Sequence, residues 1–196
     1  NQGKTVLIIS ADDQNSIFKI FGCENYVTDN DDDFFENLLV GEKKPEEVVF
    51  EARPGMYLMK TLNTDRLSIN LTLKRSEEKK LRSLIEDFTN YFDYIFVDFP
   101  PSSSRLTEIL LDISEKILLV VGLDPLGIDG YKNTIQYFVD CDIEISKISH
   151  IIPIGYHPIK ITPNKSLKEL KNLAQNYSPD AIIATPIKDK AVIQNL

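Results

Sequence analysis

Asp98 is the carboxylate of this chain whose setting points most directly to chemistry. It closes the run Tyr94-Ile95-Phe96-Val97 and is followed by Phe99-Pro100-Pro101. Four apolar residues of β-branched and aromatic type have the length of one buried strand of a parallel sheet. Asp98 then stands at the carboxyl end of that strand, the edge where open α/β sheets bind their ligands. The two prolines stop the ladder and stiffen the exit, so the acid is held at a fixed depth. A fixed, hard oxygen ligand is what a magnesium site beside a phosphorylated ligand requires. On this segment alone, a strand that happens to end in Asp before a turn reads the same way.

A second run, Thr5-Val6-Leu7-Ile8-Ile9-Ser10, ends in Ala11-Asp12-Asp13-Gln14. Two strands then deliver acids to what should be one edge of one sheet. Residues Gly3 to Gln14 resemble the GK-x-V-L-L-I-D-A-D-P-Q segment of ParA/MinD-type partition ATPases, the deviant Walker A family. Asp93-Tyr94 through Pro101-Ser102 resembles that family's DY-x-x-x-D-x-PPS Walker B segment, and the distance between the segments suits it. Ile117-Leu118-Leu119-Val120-Val121 with Gly130-Tyr131 resembles the next strand and the helix start after it. The resemblance runs along nearly the whole chain and is nearest to ParA-like plasmid and chromosome partition proteins.

The resemblance implies an α/β fold of the P-loop NTPase kind, a parallel twisted sheet with helices on both faces, as one nucleotide-binding domain over residues 1–196. It implies ATP and Mg2+ as cofactors and hydrolysis of ATP to ADP and phosphate in the complete protein. Asp98 takes the place of the Walker B acid, holding magnesium through a bound water, and Asp12 that of the catalytic acid which orients the attacking water. Ala184-Thr185-Pro186-Ile187-Lys188 resembles the family's x-x-IP-R-N stretch, which puts Pro186, Ile187 and Lys188 on the adenine side. Gly155-Tyr156-His157 stands where the family has Asn-Lys/Arg. The implied partners are a second copy of the chain when ATP is bound, a ParB-like centromere-binding protein and non-specific DNA. The implied location is the bacterial cytoplasm with nucleoid association. MinD-like division-site members carry a C-terminal amphipathic membrane helix, and no such segment occurs up to Leu196, so no membrane partner is expected, and a MinD-like division-site positioning ATPase stands as an alternative behind partition.

The chain also departs from the pattern. Ser10 stands where the family has the first Asp of its D-x-D pair, and Asp13 replaces the usual Pro. No glycine-rich phosphate loop is present in the sequence. Gly3-Lys4-Thr5 has the ending of one, but a phosphate loop needs a strand before it and a helix after it, and here a β-rich run follows. A QGK turn between the family's first helix and second strand fits these residues better. The strand, phosphate loop and helix of the family are therefore expected upstream of Asn1, and its last helix beyond Gln194-Asn195-Leu196. Ser10, Asp13 and the missing loop leave a second reading open: a regulatory or scaffold relative that binds nucleotide poorly and acts through protein contacts. An iron–sulfur metabolic member of the fold has less support, since the cysteines are not placed as ligands.

Composition narrows the classes. A chain of 196 residues can form a single core that buries around 70% of its unfolded surface. The apolar runs are far too short to span a bilayer. Cys23 and Cys141 show no C-x-x-C spacing and read as reduced thiols, and His150 and His157 lack ligand spacing. The net charge of −8 disfavours a strongly basic nucleic-acid binder, but it is uneven. From Ile145 onward seven lysines face three acids, a balance of +4 that leaves −12 for the rest, with an acidic run at Asp29 and Asp31–Asp33. Lys165, Lys168 and Lys171 fall at helical spacing and make a candidate DNA surface; an ordinary solvated face reads equally well.

Alternating signals along the chain set the elements that must position these residues. Strands are expected at Thr5–Ser10, Met56–Met59, Tyr94–Val97, Ile117–Val121, Ile148–Ile154 and Ala181–Ala184. Phe34, Phe35, Leu38 and Leu39 predict a short helix opened by Asp31–Asp33 and closed by Gly41, and Lys43–Glu47 a charged surface turn. Ser76 caps a helix with Leu81, Leu84, Ile85 and Phe88 facing the core. Further helices carry Leu106, Ile109, Leu110 and Ile113, then Ile128 to Val139, then Leu167, Leu170, Leu173, Ala174 and Tyr177 as core stripes.

Overall fold

The computed structural model describes residues 3–12, 14–29, 35–61, 64–100 and 103–188. Expectations that fall on Asp13, Asp31–Phe34, Pro101–Ser102 and Gln194–Leu196 lie outside these. The chain divides into two compact units, Asn1–Leu110 and Leu111–Leu196.

In the first unit the elements run β1 (Val6–Ser10), α1 (Ser16–Ile20), α2 (Glu24–Asp29), α3 (Phe35–Val40), α4 (Pro45–Val48), β2 (Phe50–Arg53), β3 (Met56–Met59), α5 (Thr64–Leu73), α6 (Arg75–Phe88), β4 (Tyr94–Asp98) and α7 (Arg105–Ile113, which crosses the boundary). The strands form one sheet in the order β2-β3-β1-β4. β1 pairs in parallel with both β3 and β4, while β2 is a hairpin partner of β3 and runs antiparallel. The hairpin closes at Pro54-Gly55, where Gly55 takes φ 76°, a conformation that side-chain-bearing residues rarely adopt. Leu7 and Ile9 of β1 are fully buried, as are Leu58 and Met59 of β3 and Leu81 of α6. Phe88 stacks edge-on to Phe92, which meets Tyr57 in the same way.

The second unit continues with β5 (Ile117–Gly122), α8 (Pro125–Asp140), β6 (Ile148–Ile154), α9 (Ile161–Tyr177) and β7 (Ile182–Ile183). Its sheet is wholly parallel, in the order β5-β6-β7. Ile128, Tyr131, Ile135 and Phe138 of α8 and Leu170 and Ala174 of α9 are buried at the i, i+3, i+4 spacing of a core-facing stripe. Gly127 lets the first turn of α8 lie directly on the end of β5: a Cβ there would sit 2.1 Å from the Gly122 carbonyl oxygen. No described helix is long and apolar enough to cross a membrane.

Several expectations are corrected. Tyr94 and Phe96 of β4 are 54% and 47% exposed, so this strand is not buried on both faces; Leu118 and Val120 of β5, for which only a strand was expected, are 47% and 62% exposed. Each is the last strand of its sheet among the described residues, with a neighbour on one side only. Tyr177 is exposed, and Pro163 and Ser166 join the core of α9 in its place. Lys74, not Ser76, is the N-cap of α6. Residues 45–48 form the short helix α4 rather than a turn, started by Pro45 and by a Glu47 carboxylate that accepts from the Lys44 N–H. α8 begins at Pro125, ahead of Gly130, because the Asp124 side chain caps the Gly127 N–H.

Candidate active site at the carboxyl edge of the first sheet

The parallel register of β1 and β4 sets Ser10 opposite Asp98, and the next residue, Ala11, donates its N–H to the Asp98 carbonyl at 2.9 Å. Asp12 follows one residue later. The two acids singled out in the sequence therefore emerge side by side from adjacent parallel strands at the carboxyl edge, as the spacing predicts.

The loop that carries Asp12 is tightly specified. The Ser10 hydroxyl and the Asn15 N–H both donate to the Asp12 carbonyl at 3.0 Å, and the Gln14 N–H donates to Asp12 Oδ1 at 3.0 Å. This last bond is an Asx turn, a local substitute for a backbone turn. Ser10 is fully buried, so its hydroxyl is committed to loop geometry where the family pattern has a charge. The Asp98 carboxylate meets no hydrogen bond or ion pair from a described residue, and it carries its charge on an exposed residue at the strand end. Lost hydration, then the negative charge of Asp12, pushes the Asp98 carboxyl above its ordinary value of 3.8.

Two like charges near one another, with no cation paired to Asp98 among the described residues, suit a divalent metal, which would relieve both. No group of three or more metal-binding side chains occurs among the described residues, so a magnesium held by Asp98 would keep most of its coordination for water and phosphate oxygens. The residues present thus fit the metal. They do not fit the triphosphate, for which this chain carries no glycine-rich loop.

Lys4 and Thr5 belong to the opposite edge. Lys4 Nζ lies 2.7 Å from Asp93 Oδ1, and the Thr5 N–H and hydroxyl donate to Asp93 Oδ2 at 2.8 and 3.0 Å. This staple joins the amino ends of β1 and β4 and holds the Asp93 carboxyl down to about 2.

The remaining candidates lie in the second unit. The segment through Pro186, Ile187 and Lys188 runs beside the carboxyl end of β6: Ile187 N donates to the Pro153 carbonyl at 2.8 Å, Tyr156 N to the Ile187 carbonyl at 3.0 Å, and Lys188 bridges Tyr156. It is thus brought to Gly155-Tyr156. A cleft at the same sheet edge is lined by Gly122, Asp124, Ile154, Lys160 and Thr162, and Pro186–Lys188 are not part of that lining. Lys165, Lys168 and Lys171 are all exposed on α9. The sequence reading missed the buried Asn15, whose N–H donates to the Asp12 carbonyl, and the buried Thr61, which is bonded to Asn15 and to the Ser10 carbonyl. A polar residue directly after the Asp12 turn was the only signal for Asn15, and Thr61 offered none.

The fold is the α/β, ParA/MinD-like P-loop NTPase fold of the solved structures that the chain resembles. A family model described as an AAA domain matches residues 1–148, and the chain belongs to that family. Among solved structures it is similar to a Cyanothece McdA variant in complex with ATP, at TM-score 0.81 and 16% identity, over 99% of this chain and 75% of that one. A Borrelia burgdorferi B31 plasmid partition protein bound to AMPPNP matches at TM-score 0.74 and 14% identity, over 100% of this chain and 78% of that one. A Mycobacterium smegmatis cobyrinic acid a,c-diamide synthase with ADP and magnesium matches at TM-score 0.76 and 19% identity, over 96% and 76%. An uncharacterized Pseudomonas putida protein is 22% identical over 135 residues, 68% of this chain and 50% of that protein. The chain spans about half the length of the curated relatives it matches.

Proposed function

We propose that the complete protein is a ParA-like ATPase, with residues 1–196 acting as one nucleotide-binding domain, that forms an ATP-dependent dimer and partitions or positions DNA. The observation that carries this reading is the pair Asp12 and Asp98, side by side past the carboxyl ends of β1 and β4, with no cation paired to Asp98 among the described residues. Asp98 would hold magnesium, which supplies charge neutralisation at the transferred phosphoryl group. Asp12, two residues past the Ser10 that pairs with Asp98, would accept a hydrogen bond from the attacking water and fix its line of approach. Cytoplasmic placement, a ParB-like partner and DNA contact through Lys165, Lys168 and Lys171 belong to the same proposal. Pro186, Ile187 and Lys188 stand as its adenine-side residues.

The test is ATP turnover by the full-length protein. Asp12→Ala should keep ATP binding and lose roughly 10²–10⁴-fold in turnover, and Asp98→Ala should weaken magnesium-dependent binding. Turnover of Asp12→Ala within a few-fold of the natural protein would sink the assignment. The commitment of the Ser10 hydroxyl to the Asp12 carbonyl favours a second reading, a scaffold relative with poor hydrolysis. That reading predicts no magnesium-dependent turnover in the natural protein and unchanged partner contacts in Asp12→Ala.

A further inference from the structure

The Asp12 loop is tied to a strand exit 46 residues away by a contact that none of the strands requires. Asn15 is 4% exposed and holds the left-handed backbone conformation, φ 47° and ψ 37°. Its side-chain amide makes a two-point bond to the fully buried Thr61, which lies just past β3: Asn15 Nδ2 donates to the Thr61 carbonyl at 2.8 Å, and the Thr61 N–H donates to Asn15 Oδ1 at 3.1 Å. A carboxamide has the donor and acceptor of a peptide group, so this pair extends the sheet ladder with a side chain where the backbones part. The Thr61 hydroxyl closes the ring by donating to the Ser10 carbonyl. From the other side the Asn15 N–H donates to the Asp12 carbonyl, as the Ser10 hydroxyl also does.

Such a cluster is costly to bury unless every polar group is paired, and once paired it fixes a single geometry. An Asn tolerates the left-handed region, but glycine does so without any side chain to bury. The turn itself therefore does not call for the amide; the bond to Thr61 does. What the bond orders is the loop between Ser10 and Asn15, whose one carboxylate within charge reach of Asp98 is Asp12 among the described residues.

We propose that Asn15, clasped to Thr61, is a positioning residue that sets the Asp12 carboxylate against Asp98. The proposal rests on the ATPase reading of that pair, and it is tested with the full-length protein in two arms. In the first, Asn15→Gly keeps the backbone conformation and deletes the amide of the clasp, while Thr61→Val keeps the shape and the backbone bonds to Asn15 and deletes only the hydroxyl's bond to the Ser10 carbonyl, which seats Thr61 against β1. Both should lower kcat roughly 10²-fold, the scale of a small misplacement of a reacting group, with KM for ATP held within about two-fold. Thr61→Ser restores the hydroxyl and should restore kcat. In the second arm, amide hydrogen exchange is followed without nucleotide. Gln14 and Thr61 should be protected in the natural protein and should exchange at least about ten-fold faster in Asn15→Gly, while Ile8 and Ile9 of β1 stay protected.

Folded variants with kcat near that of the natural protein overturn the proposal, as does a rise in KM alone. Failure of both variants to fold also overturns it, since the clasp is then part of the fold and not of the site. A natural protein without turnover defeats the ATPase reading instead. In that case unprotected Gln14 and Thr61 amides overturn the clasp, and protected ones that open in Asn15→Gly uphold it.

Discussion

Strand β4 is flanked by an acid at each end, and the two are treated in opposite ways. Asp93, just before the strand, is held by Lys4 and by both donors of Thr5, and its carboxyl is drawn down to about 2. Asp98, at the strand's other end, has no such donors among the described residues; lost hydration and the charge of Asp12 push it upward. The amino edge of the sheet uses its acid to hold two strands together. The carboxyl edge keeps its acids exposed to one another, which is unfavourable for folding and useful for a metal. Donors that draw Asp93 down, and lost hydration with a neighbouring charge that push Asp98 up, mark Asp93 as a structural carboxylate and Asp98 as a candidate for function.

The largest effect that would break this comparison concerns turnover. Asp98→Asn should remove magnesium-dependent ATP turnover by 10²-fold or more, on the scale of lost metal and electrostatic stabilisation, while Asp93→Asn should leave it within about three-fold. Equal losses in steady-state assays of the two variants would show that the edges are not functionally distinct.

A smaller effect sharpens the contrast between the acidic first unit and the lysine-bearing helix α9 of the second. If Lys165, Lys168 and Lys171 each meet a phosphate, the triple Lys→Ala variant should flatten the dependence of log K on log salt by up to about 2.7, with weakening alike for all DNA sequences. Filter-binding or anisotropy titrations at several salt concentrations measure it. An unchanged slope would return α9 to an ordinary solvated face and leave the carboxyl-edge site as it stands.

Stability comes next, and the two acids should move it in opposite directions. Asp93→Asn loses the bond to the Lys4 ammonium and should lower Tm. Asp98→Asn removes an unfavourable charge and should raise Tm without magnesium. Thermal unfolding of the two variants side by side decides this, and a fall in Tm for both would remove the contrast.

The smallest effect is in pH. Because the folded-state value of Asp93 lies below its ordinary 3.8, its stabilisation is complete above that range and is lost as pH falls through about 2. Asp98 has the reverse sign: its folded-state value is raised, so its contribution is present at pH below the ordinary value and is lost as pH rises through the raised one. Acid unfolding of Asp93→Asn should therefore lack part of the loss between pH 4 and pH 2 seen in the natural protein. Identical acid profiles would mean that the staple contributes nothing to stability.

The sequence by itself determined the strand runs, the amphipathic stripes of α6, α7 and α8, and the placement of Asp12 and Asp98 at strand ends. These are local patterns, carried by periodicity and by residues within one segment, and they survive whatever surrounds them. What the sequence could not carry was every feature made by partners far apart. β2 escaped notice because Phe50–Arg53 is only four residues and gains its identity from pairing with β3. Tyr94 and Phe96 read as buried because hydrophobic type says nothing of whether a strand lies inside a sheet or at its edge. The fate of Lys4 was set by Asp93, 89 residues away, and the ordering of the Asp12 loop by Thr61, 46 residues from Asn15. Only tertiary structure decided these, because a hydrogen bond depends on where the chain returns, and no single segment records that.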